Sequence, residues 1–244
     1  MTALAAVAVF LGASLQSATG FGFALIAAPI LFAVFGAQEA VTAGVLLGVT
    51  INLQTLATER RMPRVLGAEL LTLVAWSLPG LALGALALRE LPERLLSVLV
   101  ALGVLGGLAL RLRARRARAA GALARAPRWS APLAGVSSGA LSTSTALSGP
   151  PIVLHLLARN VMPAQLRDTL AAVFVALAVL SAPALLISGT FEVPDAIVAL
   201  LLAGCLGQLL GRRLFARLTG KGHENIVLAV LAIAALIALA TSAI

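Results

Sequence analysis

The sequence predicts an all-α polytopic membrane protein built from two inverted-topology repeats. Each repeat is expected to hold a broken or re-entrant helix pair followed by three transmembrane helices. Hydrophobic residues make up 61% of the 244 residues and charged residues only 11%, whereas soluble domains carry about 25% charged residues. Several apolar runs approach the roughly 20 residues that span a bilayer core. They lack the alternating pattern of barrel strands, and their order repeats in the two halves.

The expected segments follow one order in each half, two short pieces and then three longer spans. In chain order they are 2–18, 24–36, 39–57, 66–88 and 94–110, and then 130–147, 150–158, 166–188, 196–213 and 224–243. Residues 37–110 align with residues 164–237 without a gap, and this alignment places Gly84 on Gly211. The agreement of loops, glycines and order indicates an internal duplication. Glycines within the spans are expected to let helices pack closely, namely Gly12, Gly80, Gly84, Gly135, Gly207 and Gly211.

Charge divides the chain into a first transmembrane repeat (1–110), a basic connector (111–129) and a second transmembrane repeat (130–244). The connector carries seven arginines and no acidic residue, which predicts a cytoplasmic location by the positive-inside rule. Counting spans outward from it places the basic 58–65 loop inside and the acidic 189–195 loop outside. Matching loops then lie on opposite sides, so we expect the repeats to be inverted, with both termini outside.

Two interrupted stretches occupy matching positions, "ATGFGFALIAAP" and "LSTSTALSGPP". An offset of 122 places the residues 142–144 opposite the residues 20–22. Inverted repeats with such broken helices are typical of secondary transporters, whose substrate site lies where the breaks meet. Free amides at a half-helix N-terminus suit an anion, glycine allows close approach, and hydroxyl groups add donors without charge.

These stretches supply the candidate site residues. The expected substrate-binding residues are Gln16, Ser17, Thr19, Gly20, Phe21, Gly22, Pro29, Ser142, Thr143, Ser144, Thr145, Ser148, Gly149, Pro150 and Pro151. Asn52 and Gln208 are candidate gate residues, with interhelical hydrogen bonding as the alternative. His155 can carry a coupling proton, the alternative being an interfacial or hydrogen-bonded histidine. No metal site or cofactor is expected.

Three stretches resemble the sulfite exporter TauE/SafE family of membrane permeases. They are "GFGFALIAAPIL", the "ERR" after the third segment, and "GPPIVLHLLA" in the second half. The chain departs from the family at residues 142–145, where Ser-Thr-Ser-Thr stands in place of a glycine-rich sequence. The resemblance implies a multi-pass protein of the bacterial inner (plasma) membrane that moves sulfite, thiosulfate or an organosulfonate.

The expected function is therefore secondary transport of a small anion by alternating access between inverted repeats. The alternatives are an uncoupled anion channel of the same fold and a membrane-embedded assembly factor. An enzyme is not expected, because the spans hold no paired histidines or carboxylates and no nucleotide-binding motif is present. The expected partners are the lipid bilayer, the anion and a coupling proton or cation, and not nucleic acid. The oligomeric state is not predicted.

Overall fold

The computed structural model of the chain describes residues 1–57, 62–119, 127, 129–159 and 161–215. Within these ranges all regular secondary structure is α-helical, which confirms the predicted all-α class. The helices are α1 (Thr2–Thr19), α2 (Phe23–Phe35), α3 (Ala37–Ala57), α4 (Gly67–Glu90), α5 (Glu93–Ala119), α6 (Ser130–Thr145), α7 (Gly149–Leu157), α8 (Pro163–Ser188) and α9 (Ile197–Phe215). The predicted span at 224–243 lies outside the described residues.

Three of these helices are long and apolar enough to cross a membrane, by length and composition. They lie at Ala37–Ala57, Gly67–Glu90 and Ala164–Ser188. The segments Thr2–Ser17 and Phe23–Phe35 are shorter apolar helices, in agreement with the predicted short pieces. The protein is therefore a membrane protein with several apolar helices.

Helix α5 continues nine residues beyond its predicted end at residue 110 and reaches Ala119. Its last part has the sequence "RLRARRARA", which takes in most of the arginines of the basic connector. Alanine, leucine and arginine are the strongest helix formers, so nothing in this stretch ends the helix where the apolar run ends. The first part of the connector is therefore helical.

Close backbone contacts at glycines pack α4 along α6 and α1 along α9. A Cβ atom on Gly84 would overlap the carbonyl oxygen of Ala140 in α6, and one on Gly211 would lie 2.6 Å from the Cα of Ser14 in α1. The remaining predicted packing glycines have similar neighbours. Cβ atoms on them would crowd backbone atoms of Phe23 (Gly12), Val136 (Gly80), Leu73 (Gly135) and Phe10 (Gly207). The packing role predicted for these six glycines is confirmed.

Replacing Gly84 with alanine is expected to lower the free energy of unfolding by about 1–3 kcal/mol, the usual cost of overpacking. The new methyl group would push α4 away from α6, while Gly84 does not touch the cavity described below. The melting temperature should therefore fall, while the anion affinity of the folded protein stays unchanged. Gly106→Ala in α5 is the matched control, because no described residue outside its own helix turn lies within 4 Å of its Cβ position. Equal melting temperatures for the two variants would contradict this role.

The two broken stretches match at an offset of 126. Gly20 ends α1 in the left-handed region at φ 79°, and Ala146 ends α6 in the same region at φ 57°. The helices that follow, α2 and α7, also begin 126 residues apart, at Phe23 and Gly149. The predicted offset of 122 for these stretches is therefore wrong, because α6 runs four residues further than that offset assumes.

The predicted offset of 127 for the later helices agrees with a matched pair of hydrogen bonds. The hydroxyl of Thr169 in α8 accepts the amide of Leu66, just before α4, at 3.0 Å. The hydroxyl of Thr42 in α3, 127 positions earlier, accepts the amide of Glu192, shortly before α9, at 3.2 Å. Thr169 thus holds the segment that leads into α4, and Thr42 holds the segment that leads into α9.

Candidate functional site

The first break is a two-glycine turn between α1 and α2. Gly20 donates its amide to the carbonyl of Gln16 at 2.8 Å in a left-handed helix cap. Gly22 precedes α2 with φ 118°. A side chain at these two φ values would be strained, which explains why glycine stands on both sides of Phe21.

The second break reaches a similar path without glycine at its left-handed position. Ala146 has φ 57° and is the one non-glycine residue with positive φ in the described part of the chain. Its amide and that of Leu147 both point to the carbonyl of Leu141. Helix α7 then begins with Gly149, Pro150 and Pro151. Proline suits the first turn of a helix, where its missing amide would have no partner within the helix.

The two breaks lie on one cavity of about 60 Å³. Space for one water requires roughly 10–15 Å³ by this measure, so the cavity has room for about four water molecules. Residues from the first break (Phe21, Gly22) and from the second (Ala146 to Pro150) both line it. Phe174 and Ala178 of α8 also contribute to the lining.

Helix α3 presents one small or polar residue per turn along the cavity, namely Gly44, Gly48 and Asn52. A Cβ atom on Gly44 would lie 2.5 Å from the Cβ of Ala146, so glycine is required where α3 meets the second break. A Cβ atom on Gly48 would lie 3.8 Å from the Cβ of Ala178, which is ordinary contact. These three residues, called the α3 stripe below, therefore set the width of the cavity between the two breaks.

A chain of amide hydrogen bonds orders the end of the cavity at the first break. The side chain of Gln16 accepts the amide of Phe23 through Oε1 at 3.2 Å and donates through Nε2 to Asn52 Oδ1 at 2.9 Å. Asn52 in turn donates to the carbonyl of Gly48 at 2.7 Å. Gln16 and Asn52 are almost fully buried. These bonds fix the start of α2. The next amides, those of Ala24 and Leu25, belong to the first turn of the helix, where backbone amides have no acceptor within the helix.

The end of the cavity at the first break therefore carries the positive end of a helix dipole and backbone donors. A helix N-terminus favours a negatively charged ligand. The aliphatic stem of Arg167 in α8 packs beside the first break, with its Cγ 3.1 Å from the Cβ position of Gly20. No acidic residue lines the described cavity. The arrangement suits a small anion held by amides and hydroxyl groups.

A model of the protein family described as Sulfite exporter TauE/SafE matches residues 4–238, nearly the whole chain. The protein belongs to the TauE/SafE family. No curated protein and no solved structure gave a significant match. The TauE/SafE family is one of membrane transporters of sulfur anions, which agrees with an apolar helical protein holding an anion-suited cavity. The resemblance seen in the sequence is thereby confirmed.

The TauE/SafE chain brings about half of its sequence-predicted site residues to the cavity. Those that line it are Gln16, Phe21, Gly22, Ser142, Ser148, Gly149 and Pro150, together with the candidate gate residue Asn52. Those that lie away from its lining are Ser17, Gly20, Pro29, Thr143, Ser144, Thr145, Pro151, His155 and Gln208. The side chain of Thr19 is outside the described part of the structure.

The hydroxyl run of the TauE/SafE chain lies within α6 and not at its break. Ser144 and Thr145 donate to the carbonyls of Ala140 and Leu141 one turn earlier, at 2.7 and 2.9 Å. Thr143 donates instead to the carbonyl of Leu81 in α4 at 2.8 Å. Such back-bonding satisfies a hydroxyl inside a helix. These three residues therefore join α6 to itself and to α4.

Other predicted residues hold helices together in the same way. Ser17 donates to the carbonyl of Ser14 at 2.6 Å and packs against Gly211. Gln208 donates to the hydroxyl of Thr55, which is the interhelical bonding kept open as the alternative to a gate role. Pro29 is buried inside α2.

The features of this region differ in how far the sequence could reveal them. Ala146 is the clearest case, since a left-handed alanine costs roughly 1–2 kcal/mol and no pattern predicts it. The α3 stripe was detectable, because Gly44, Gly48 and Asn52 recur at every fourth position. Arg167 could not be placed beside Gly20 without the fold, since the two are far apart in the chain.

Proposed function

We propose that this protein is a secondary permease for sulfite, thiosulfate or an organosulfonate, working by alternating access between two inverted repeats. The observation that carries the proposal is that both helix breaks line one cavity. Membership of the TauE/SafE family supports the transporter class. The helix N-terminus at the first break and the hydroxyl group of Ser148 support an anionic substrate.

Matched geometry supports the duplication within this proposal. The left-handed caps and the helices that follow them are 126 positions apart, and the loop-holding threonines are 127 apart. The first helix of each half also packs on a helix of the other half, since α1 packs on α9 and α6 packs on α4. Under this correspondence α1 matches α6 and α4 matches α9.

The number of helices in the first half is compatible with the inversion. Five helices precede α6, so a unit of five crossings, or of three crossings with a re-entrant pair, starts its successor on the opposite side. The helices α2 and α7 then approach the cavity from opposite faces of the membrane. Rocking one repeat against the other around a fixed central site is the usual consequence of such a fold.

Ser148→Ala is expected to weaken anion binding about tenfold to a hundredfold, because a hydrogen bond to a charged group contributes roughly 1.5–3 kcal/mol. The Ser148 side chain lines the cavity and makes no capping bond to α7, so helix stability should change little. Ser144→Ala is the matched control, since that hydroxyl is bonded within α6. Substrate-induced thermal shifts of the purified variants measure the difference. A loss of affinity that is equal in the two variants would remove Ser148 from the site.

The permease proposal is tested by counterflow in vesicles of the reconstituted protein. Labelled sulfite, thiosulfate, sulfoacetate and taurine are offered outside, with the same unlabelled compound inside. We expect at least one of them to enter transiently above its equilibrium level, which a carrier produces and an open channel does not. Movement without counterflow would favour the channel, and no movement of any compound would contradict the proposed substrate class.

A further inference from the structure

A buried polar cluster joins α4, α6 and α7 at the end of α7 away from the cavity. His155 is 5% exposed, and its Nε2 lies 2.8 Å from Oε2 of Glu69. Its Nδ1 lies 2.8 Å from the hydroxyl oxygen of Ser130. Arg159 donates through Nε to the other oxygen of Glu69 at 2.7 Å, and through Nη2 as well. The described charged groups around the ring are thus Glu69 from α4 and Arg159 just beyond α7, while α6 contributes the Ser130 hydroxyl.

Counting hydrogens indicates how many protons the ring carries. The Ser130 hydroxyl is also 2.7 Å from the carbonyl oxygen of Pro127, which can only accept. The hydroxyl has one hydrogen. If it donates that hydrogen to Pro127, then Nδ1 of His155 must donate to Ser130. Nε2 must donate too, because it faces a carboxylate that Arg159 holds as an anion.

All the contacts of the ring are therefore satisfied only by the imidazolium, in which both nitrogens carry hydrogen. Three contacts need a hydrogen each: Ser130 to Pro127, Ser130 to Nδ1 of His155, and Nε2 of His155 to Glu69. A neutral ring leaves one of these contacts without a hydrogen, and it removes the ion pair with Glu69. Loss of the proton thus weakens the attachment of α7 to α4 and α6. Histidine is the side chain that exchanges its proton most readily in the physiological range.

Helix α7 connects this cluster to the cavity as a short rigid segment. Gly149 and Pro150 at its start line the cavity, and His155 follows Gly149 by six residues, or about 9 Å along the helix. His155 also lines a second cavity of about 280 Å³ beside Trp129 and Ser130.

From this geometry we infer that His155 binds the coupling proton of the transporter, and that α7 links its protonation to the cavity. The inference rests on the permease function proposed above and names the coupling ion for it. Protonation closes the cluster of Ser130, Glu69 and His155, and deprotonation leaves this end of α7 held to α4 by the Arg159–Glu69 ion pair alone. Anion movement and proton movement are thereby tied to one helix.

The first test uses wild-type and variant protein in vesicles, with the same four compounds and an imposed pH difference. An anion moved with one proton can be concentrated about tenfold by one pH unit, which is worth about 1.4 kcal/mol. We expect the pH difference to drive accumulation by wild type. His155→Gln and Glu69→Gln should lose this accumulation and keep counterflow. His223→Gln, which changes the other histidine of the chain, should behave as wild type.

Each outcome of that test bears on one of the two proposals. The proton site is overturned if His155→Gln still accumulates the anion when a pH difference is imposed. It is also overturned if wild type shows counterflow but no accumulation driven by the pH difference. Either result leaves the permease proposal standing. Absence of counterflow in wild type contradicts the permease, and the coupling role falls with it.

The second test does not depend on transport. Melting temperatures of the purified protein are compared in acidic and alkaline buffer, on either side of the histidine titration range. Because the proton completes the cluster, acid should stabilise wild type and His223→Gln relative to His155→Gln. The same pH response in all three proteins would show that His155 takes up no proton there, and would overturn the inference.

Discussion

Replacing Gln16 with glutamate is expected to abolish anion binding and transport while the protein still folds. The two side chains have nearly the same shape, and a carboxylate can still accept the amide of Phe23 as Gln16 does. The bond that Gln16 donates to Asn52 Oδ1 is lost, which lowers stability but leaves the start of α2 held by the Phe23 amide. The change places a negative charge on the lining of the cavity. At about 4 Å and an effective dielectric constant of about 20, repulsion of a bound anion is about 4 kcal/mol. That energy corresponds to roughly a thousandfold loss of affinity.

Gln38→Glu is the matched control, because it makes the same chemical change in the first turn of α3, away from the cavity lining. It should bind and transport as wild type does, since an acidic residue near a helix N-terminus is tolerated. Thermal shift with the anion panel measures binding, and counterflow measures transport. Normal affinity in folded Gln16→Glu protein would place the anion elsewhere in the molecule.

Gly44→Ala is expected to disrupt the cavity, and Ala146→Gly in the same protein is expected to restore it. A methyl group on Gly44 would lie 2.5 Å from the Cβ of Ala146 and 4.0 Å from its Cα. The first distance forces α3 away from the second break, which should cost about 1–3 kcal/mol of stability and most of the transport. Removing the Ala146 methyl leaves ordinary contact, and it also relieves the left-handed alanine.

Gly48→Ala separates this steric effect from the simple addition of a methyl group to the α3 stripe. Its Cβ would meet Ala178 at 3.8 Å, so its stability should stay near that of wild type. A double-mutant cycle on Gly44 and Ala146 should show a strong favourable coupling, as expected for residues in contact. Additive effects of the two substitutions would mean that the second break does not rest on Gly44.

The fold class and most helices could be predicted because composition and helix-ending residues act locally. Gly20 and Gly22 end one helix and begin another through their own backbone freedom. Helix α5 extends beyond its predicted end at residue 110. The arginine-rich stretch that follows is polar, which ends the apolar run, but it is also a good helix former. Hydrophobicity marks what lies in the bilayer, and it does not mark where a helix stops.

The candidate site was harder to predict because its second half depends on tertiary contacts. The polar residues 142–145 resembled a break, but they lie inside α6. The hydroxyls of residues 143–145 bond to carbonyls, and that of Ser142 pairs with the hydroxyl of Ser181. The actual break is at Ala146, held in the left-handed region by its surroundings. The partnership of Glu69 with His155 was equally hidden, since the two residues are 86 positions apart.

The central claim is that the anion sits in the cavity between the two breaks, and cysteine protection tests it most directly. In a Cys205→Ala background, Ala178→Cys introduces a thiol on this cavity and Ala134→Cys introduces one on the second cavity. The two alanines are similarly buried, at 6% and 5% exposure. The rate of maleimide labelling is measured with and without the anion that the vesicles exchange. We predict that the anion slows labelling at position 178 and leaves position 134 unchanged. Equal rates at position 178 with and without the anion, or equal slowing at both positions, would contradict the claim.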